Sequence, residues 1–197
     1  MNLSPVILEN AFVRLEPFCE ALREEVRVAL DCDPEAWSGM VTAAYGSHFD
    51  PWWQAAQKAI GAGNRIAYAV RRKSDGAVVG TTSLYEIKPT YRRCEIGSTF
   101  YRPEARGGAV NPAAKRLLLG YAFDQGAVRV EIITDARNKA SAAAIRKLGA
   151  RDEGLLRKHK ITWTGHIRDT AQFAILDDDW AEVRAGLDAR LAIYQPA

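Results

Sequence analysis

The stretch CEIGSTFYRPEARGGAVNP, from Cys94 to Pro112, contains the transition that decides the fold of this chain. Its first part is rich in β-branched and aromatic residues, which is typical of a strand. Two adjacent glycines, Gly107 and Gly108, follow this part. Asn111 and Pro112 then combine an N-cap residue with a proline at the first helical position. The stretch therefore predicts a strand, a glycine-rich loop and a helix in close succession.

A second strand and a second helix continue this pattern. Residues 128–134 alternate apolar and polar side chains, Asn138 is predicted to cap a helix over residues 139–148, and Gly149 is predicted to end it. A helix between two strands of one sheet makes those strands parallel neighbours. We therefore expect any ligand at the carboxyl ends of strands 94–101 and 128–134.

The remaining segments are predicted to form antiparallel strands and further helices. The strands lie near residues 6–17, 66–70, 78–87, 150–163 and 167–176, and the helices lie near 20–30, 51–60 and from Asp179 onward. Asp75-Gly76 is a hairpin turn, and Glu182 is placed as the partner of Asp179 in a capping box. The fold class is therefore α+β, a mixed, mostly antiparallel, twisted sheet with a central parallel pair flanked by helices.

Composition limits the classes of protein that remain. The 197 residues are 48% hydrophobic and 26% charged, which predicts a single globular domain over residues 1–197. The net charge of +3 comes from interleaved acids and bases, which argues against nucleic acid as a partner. The longest uncharged stretch, residues 36–49, is shorter than the about 20 apolar residues of a membrane span. No secretion signal is visible at the N-terminus.

The cysteines indicate a reduced, cytoplasmic protein without a metal site. Cys19, Cys32 and Cys94 are isolated and odd in number, and none stands in a CxxC or Cys/His spacing. Neither a disulfide framework nor a zinc site is therefore predicted.

The glycine-rich loop has the chemistry of an anion site. Gly107 and Gly108 let the backbone approach a ligand closely, and the amides at the helix start together with Arg106 attract a pyrophosphate. The alternative is a strand-to-helix turn that binds nothing, since the phosphate motifs GxxxxGK[ST] and GxGxxG are both absent. Ser141 has similar alternatives, a solvated helix serine or a hydroxyl directed into a cleft.

In seven segments the chain resembles the GNAT superfamily of acyl-CoA-dependent N-acyltransferases, in particular its Rim-type branch of ribosomal-protein N-terminal acetyltransferases. The segments are CEIGSTF (94–100), GGAVNP (107–112), RVE (129–131), TDARNKAS (134–141), KLGA (147–150), EGLLR (153–157) and GHIRDT (165–170). Their order and spacing agree with the family from about residue 12 to residue 180.

The resemblance implies a GNAT fold whose parallel strands splay apart to hold acetyl-CoA, with no metal. It implies transfer of an acetyl group directly to a primary amine, either a protein N-terminus or a small molecule, and it allows a homo-oligomer. The implied CoA-binding residues are Thr99, Phe100, Tyr101, Arg106, Gly107, Gly108, Ala109, Asn111, Asn138 and Ser141. Glu104 departs from the family's pyrophosphate pattern, so a cation such as Arg106 is expected to compensate.

Two residues are candidates for proton transfer. Strand alternation places Glu95 on the same face as Gly97 and Thr99, which makes it the preferred general base. Many relatives donate a proton to the leaving thiolate from a tyrosine, but Ile145 takes that position here. The resemblance to the Rim-type branch therefore assigns this role to Ser141.

Each candidate has a simpler alternative. Glu95 could be exposed or paired with Arg92 or Arg93, and Glu131, the other candidate base, could pair with Arg129. His159 fits a solvated basic strand better than a catalytic role. Arg168 and Asp169 could form a structural pair or line the acceptor site.

The acceptor pocket is expected between residues 31–53 and the last hairpin. The aromatic residues available to line it, if core packing does not take them, are Trp37, Tyr45, Trp52, Trp53, Tyr85 and Trp163. Two other functions stay open. One is a non-catalytic acyl-CoA-binding or sensing protein on the same fold, and the other is an oligomeric interaction domain that has lost CoA binding.

Overall fold

The computed structural model describes residues 1–194, which contain one eight-stranded sheet. The strands are β1 (Leu8–Glu9), β2 (Val13–Pro17), β3 (Arg65–Arg72), β4 (Val78–Lys88), β5 (Arg93–Tyr101), β6 (Arg129–Asp135), β7 (Arg151–Ile161) and β8 (Ile167–Leu176). The helices are α1 (Arg23–Leu30), α2 (Phe49–Gly61), α3 (Val110–Asp124), α4 (Lys139–Arg146) and α5 (Trp180–Ala192). The predicted strands and helices are all present, with small shifts of their ends.

The strand order is β1-β2-β3-β4-β5-β6-β8-β7. Neighbouring strands are antiparallel throughout, except that β5 and β6 run parallel. Helix α3 connects these two strands, as a crossover between parallel neighbours requires. The predicted mixed sheet with a parallel pair near its centre is therefore confirmed.

Helices cover the two faces of the sheet and form two apolar cores. On one face, here called the α1/α2 face, residues of α1 and α2 pack with Trp37 and Phe100. On the other, here called the α3 face, residues of α3, α4 and α5 pack against the inward side chains of the central strands. Among residues 1–194, no helix has the length and apolar character needed to cross a bilayer.

Helix α3 begins earlier than its sequence predicted. Ala109 is the N-cap, so Asn111 is the second helical residue and Pro112 the third, and the predicted Asn111 cap is wrong. Proline is tolerated throughout a first helical turn, because the amides there have no acceptor within the helix. Pro112 therefore marks the first turn without fixing its first residue. For the same reason α2 begins at Phe49, two residues before Pro51.

The two other predicted caps differ in outcome. The Asn138 side chain accepts a hydrogen bond from the Ser141 amide at 2.9 Å, which confirms the predicted cap of α4. Asp179 makes no such bond, and the predicted capping box with Glu182 is wrong. A short 3₁₀ turn, Asp177–Asp179, precedes α5 and gives Asp179 a helical backbone. A residue whose side chain caps a helix needs a non-helical backbone.

Candidate active site

A cleft opens where β5 and β6 separate. The two strands pair in register from Arg93 with Arg129 to Glu95 with Glu131, and no pairing between them follows within residues 1–194. From Ile96 to Tyr101, the β6 side of β5 therefore presents backbone amides and carbonyls without a strand partner. The predicted splay of the parallel pair is confirmed.

A β-bulge lies in β5 at the level of this cleft. Gly97 pairs with Ser83 and Phe100 pairs with Thr81, so Ser98 and Thr99 together oppose Thr82. Ser98 has a φ of +46°, which is uncommon for a residue other than glycine.

The bulge changes which face of the sheet each side chain takes. Glu95, Gly97 and Phe100 lie on the α1/α2 face, whereas Thr99 lies on the α3 face, where Lys115 contacts it. The predicted common face of Glu95, Gly97 and Thr99 is therefore wrong for Thr99. An extra residue interrupts the alternation on which that prediction depended.

Two buried cations contact the bulge from opposite faces, and sequence analysis identified neither of them. On the α3 face, Lys115 Nζ donates to the Thr99 hydroxyl at 2.6 Å and to the Thr82 hydroxyl at 3.2 Å. On the α1/α2 face, Arg65 Nη2 donates to the Ser98 hydroxyl at 3.3 Å. The bulge is thus fixed by hydrogen bonds on both sides.

Glu95 has the environment of a general base. It is half-buried and forms no salt bridge within residues 1–194. Burial raises the pKa of its carboxyl group, and nearby Lys160 offsets part of that rise. The predicted alternative of a pair with Arg92 or Arg93 is not observed, because Arg93 bonds Glu131 and Arg92 donates to the Gly126 carbonyl.

Glu131, the other candidate base, is held by two arginines. Arg93 and Arg129 each donate to its carboxylate at 2.8 Å. These charge-assisted hydrogen bonds stabilise the ionised carboxylate and restrict its approach to a substrate. Glu95 is therefore the freer of the two neighbouring carboxylates.

The loop between β5 and α3 offers a series of open amides. The backbone amides of residues 107 to 111 make no hydrogen bond within residues 1–194, and Gly107 has a φ of +77°. Arg106 lies on the same loop, but it pairs with Asp33 at 2.7 Å and donates to the Tyr101 carbonyl at 2.8 Å. Glu104 pairs with Arg102 at 2.6 Å, so the loop's acidic residue is also neutralised. The amides are the larger part of this loop's attraction for an anion.

Ser141 and Ile145 lie on the helix that follows the cleft. The half-buried Ser141 is in the first turn of α4, and its hydroxyl makes no hydrogen bond within the described chain. Ile145, at the position of the relatives' tyrosine, is buried in the core of the α3 face. Of these two residues, only Ser141 has a hydroxyl that can donate a proton.

The aromatic residues divide between core and surface. Trp37 stacks on Phe100 with ring centroids 4.6 Å apart, whereas Trp52 and Trp53 pack in the core with Phe18 and Phe49. Trp163, in the turn between β7 and β8, lies against His48 and Tyr45, and its Nε1 donates to the Trp37 carbonyl at 2.8 Å. The last hairpin thus reaches residues 37–48, as the predicted acceptor pocket requires.

The remaining candidates have other roles. Arg168 donates to the Thr170 hydroxyl, and Asp169 accepts from the Lys158 amide, so the alternative in which Arg168 and Asp169 pair is wrong. His159 is exposed, and partial desolvation and neighbouring cations lower its pKa. In the described part of the chain, no cluster of three or more His, Cys, Asp or Glu is arranged to hold a metal ion.

Comparison with known proteins gives the family. A profile of the acetyltransferase (GNAT) domain matches residues 13–151. YdaF of Bacillus subtilis, which is named as a ribosomal N-acetyltransferase, is 30% identical over 107 residues, which are 54% of this chain and 57% of YdaF. The match therefore spans little more than half of that relative.

Solved structures agree over nearly the whole chain. A GCN5-related N-acetyltransferase from Brucella melitensis superposes with a TM-score of 0.87 at 29% identity, covering 96% of this chain and 86% of that one. RimJ of Mycobacterium smegmatis, in complex with CoA-disulfide, shares the fold at a TM-score of 0.79 and 19% identity over 94% of each chain. The splayed strands and the Brucella structure agree with the profile match, which shows that this chain belongs to the GNAT acetyltransferase family.

Proposed function

We propose that this protein is an acetyl-CoA-dependent N-acetyltransferase that transfers an acetyl group directly to a primary amine. Family membership supports the reaction class. The observation that carries the proposal is the separation of β5 from β6 beyond Glu95, which leaves backbone groups of β5 open beside a half-buried carboxylate. A neutral amine is the nucleophile of this reaction, and amines are mostly protonated at pH 7, so a nearby base is needed.

Acetyl-CoA would be held along β5 and the loop that follows it. Thr99, Phe100 and Tyr101 form the end of β5 that β6 leaves without a strand partner, and they are proposed to lie along the pantetheine arm. The open amides of residues 107–111, from Gly107 and Gly108 through Ala109 to Asn111, can bond the pyrophosphate. Asn138 and Ser141 lie across the cleft on α4. When bound, acetyl-CoA supplies the acetyl thioester.

Glu95 is proposed to take the proton of the amine. Its raised pKa is nearer neutral than that of a free carboxyl, which improves the match of a base to an ammonium group. An amide of the bulged segment before Phe100 is proposed to polarise the thioester carbonyl, in the manner of an oxyanion hole. The stack of Phe100 on Trp37 limits the movement of this part of β5.

Ser141 is proposed to donate a proton to the departing thiolate. Its half-buried hydroxyl lies at the N-terminus of α4, the end of a helix that favours negative charge. The acceptor is proposed to be a protein N-terminus or a small amine in the cytoplasm. A non-catalytic acyl-CoA-binding protein is the second candidate, because Ile145 fills the place of the relatives' catalytic tyrosine.

Two measurements separate these candidates. Thermal denaturation with CoA and acetyl-CoA tests binding, since a ligand that binds only the native state raises its melting temperature. Thiol release from acetyl-CoA is then followed over a panel of amines and peptides. Stabilisation together with thiol release supports the enzyme. Stabilisation without release from any amine supports the binding protein, and the absence of stabilisation contradicts both.

Glu95→Gln tests the base. We expect turnover to fall by about 100-fold or more with little change in acetyl-CoA affinity, because the introduced amide keeps the shape of the side chain but cannot accept a proton. In the wild type, turnover should also fall as the pH drops through the raised pKa of Glu95, and this acid limb should disappear in the variant. Glu182→Gln, on the exposed side of α5, is the matched control. Equal losses of turnover and CoA affinity in Glu95→Gln would contradict the assigned role. Ser141→Ala should likewise lower turnover more than CoA affinity, and equal losses would contradict its role as the proton donor.

A further inference from the structure

Two arginines on the α1/α2 face are buried without a carboxylate partner. Arg65 and Arg168 are each 6% exposed, and within residues 1–194 no carboxylate oxygen lies within 4 Å of either guanidinium. Strand register places both on the face that holds Glu95. Arg65 aligns with Tyr85, which aligns with Glu95. Arg168 lies two residues before Thr170, whose partner Asp135 is on the same face of β6 as Glu131, the partner of Glu95. Burying an unpaired cation is unfavourable, so each position needs an explanation.

Their surroundings differ. Asp135 and Glu95 lie near enough to Arg168 to raise its pKa against the effect of burial, so neighbouring acids compensate that charge. Burial also lowers the pKa of Arg65, and the group that opposes this effect is the Tyr85 phenol, not a carboxylate. Arg65 is therefore the less compensated of the two cations.

The Arg65 guanidinium has hydrogen bonds on one side and an open donor on the other. Nε and Nη2 donate to the Ser83 hydroxyl at 3.1 and 3.0 Å, and Nη2 also reaches Ser98. Its central carbon lies 4.5 Å from the Tyr85 ring centroid and 5.6 Å from that of Trp52. Nη1 makes no hydrogen bond to any of the residues described. The neighbouring rings and hydroxyls fix the guanidinium plane and leave Nη1 to bind a further group.

The general base lies on the other side of the same tyrosine. Arg65, Tyr85 and Glu95 are aligned in register on three neighbouring strands. A side chain on Gly97 would begin 3.0 Å from Glu95 Oε1 and 3.3 Å from the Tyr85 ring, so its absence leaves space between these groups. With strands about 4.8 Å apart, the Cα atoms of Arg65 and Glu95 are separated by about 10 Å. A cation and an anion thus flank one aromatic ring over a small distance.

We propose that the acceptor carries a carboxylate a few bonds from its primary amine, and that Arg65 binds this carboxylate while the amine lies at Glu95. The amine end of this assignment rests on the proposed acetyl transfer. A guanidinium with fixed orientation recognises a planar carboxylate through charge-assisted hydrogen bonds. A bound carboxylate would also supply the compensating charge that Arg65 lacks in the protein alone.

Binding is tested without acetyl transfer, by calorimetry of the CoA complex. The probes are glycine, β-alanine and 4-aminobutyrate, each compared with its carboxamide, together with the peptide amides Ala-Glu-NH₂ and Ala-Gln-NH₂. We expect the matching acid to bind at least ten times more tightly than its amide counterpart. A preference for one of the three amino acids indicates a small amino acid with that spacing between amine and carboxylate. A preference restricted to Ala-Glu-NH₂ indicates a peptide N-terminus with an acidic side chain.

The Arg65 variants test whether this preference comes from its guanidinium. Arg65→Met should abolish the preference for acids and leave binding of the amides within about threefold. If the Met variant folds poorly, Arg65→Lys takes its place and should keep part of the preference. Arg72→Met, at the far end of β3 where Arg72 pairs with Asp75, should behave as the wild type. Equal binding of acids and amides by the wild type, including no binding of either, overturns the proposal. So does an equal loss of both in the variants. Thiol release is measured separately, and its absence contradicts the proposed reaction alone.

Discussion

Lys115 has an unusual environment for a lysine. Its ammonium group is fully enclosed between α3 and the sheet, and its hydrogen-bond partners are the hydroxyls of Thr82 and Thr99. Burial lowers its pKa to about 7, and no acid lies within salt-bridge distance in the described chain. A buried lysine of this kind is partly neutral at physiological pH.

The titration of Lys115 should appear in the stability of the protein. Since its folded pKa is lower than its unfolded pKa, the cost of burying the charge is complete below pH 7 and is relieved as the pH rises from about 7 to about 10. The free energy of unfolding of the wild type should therefore gain about 2 kcal/mol between pH 7 and pH 9 relative to Lys115→Met. Urea denaturation at a series of pH values measures this difference.

Lys147→Met provides the control for Lys115, because Lys147 is exposed at the end of α4. Titrations shared by all three proteins cancel in the comparison, so this control should follow the wild type at every pH. A stability difference between wild type and Lys115→Met that does not vary with pH would show that Lys115 is charged over the whole range.

Single residues also show how far a sequence predicts the environment of a side chain. Glu95 lies in a strand beside the predicted cleft, and the structure gives it a half-buried position there, while its role as a base stays a prediction. The burial of Arg65 and Lys115 could not be predicted, since a cation at a strand start or on a helix is usually exposed, and these two are buried by segments distant in sequence. Burial of a long charged side chain depends on its tertiary partners, which have no local signal.

Among the elements, strands and helices were predictable and their ends were not. Hydrophobic periodicity extends over many residues and identifies each element, whereas a helix start depends on a single backbone conformation. The sequence Asn111-Pro112 and the sequence before Lys139 both look like helix starts. Asn138 alone has the non-helical backbone that lets an asparagine cap, while Asn111 already lies inside α3. Periodicity also cannot reveal a bulge, because one extra residue leaves the strand's composition unchanged.

Substitution of the two asparagines separates a cap from a helical residue. Asn138→Ala should lower the free energy of unfolding by about 1 kcal/mol, because it removes the acceptor of the Ser141 amide. Asn111→Ala should change it by less than about 0.5 kcal/mol, since Asn111 makes no capping bond and alanine is a good helix former. Chemical denaturation without CoA measures both values. Equal losses in the two variants would contradict the assignment of the caps.

Across the whole molecule, parts of the chain far apart in sequence meet beside Phe100. The 3₁₀ turns Pro34–Trp37 and Gly46–His48 lie before α2, and Trp163 belongs to the last hairpin, yet its indole donates to the Trp37 carbonyl. Trp37 in turn stacks on Phe100 beside the bulge. Early and late segments of the chain are thus joined to the central strand through two tryptophans.

Trp163→Phe should loosen this connection while keeping an aromatic ring against His48. Loss of the indole N–H removes a hydrogen bond and costs about 1 kcal/mol, and residues 37–48 should then exchange their amide hydrogens faster. Hydrogen exchange followed by mass spectrometry measures this directly. Trp180→Phe, on α5 against Phe123, is the control and should leave residues 37–48 unaffected. Unchanged exchange in Trp163→Phe would show that packing alone holds the segment.

The bulge of β5 has a consequence for how this strand can vary. From Glu95 to Tyr101 seven residues of β5 span the six from Gly80 to Tyr85, so the strand carries a surplus of one residue at Ser98. Deleting Ser98 would restore regular alternation while leaving Glu95 and Phe100 on the same face. Chain length at this one place, rather than residue identity, therefore decides whether the strand is a regular sheet strand or a bulged strand beside the cleft.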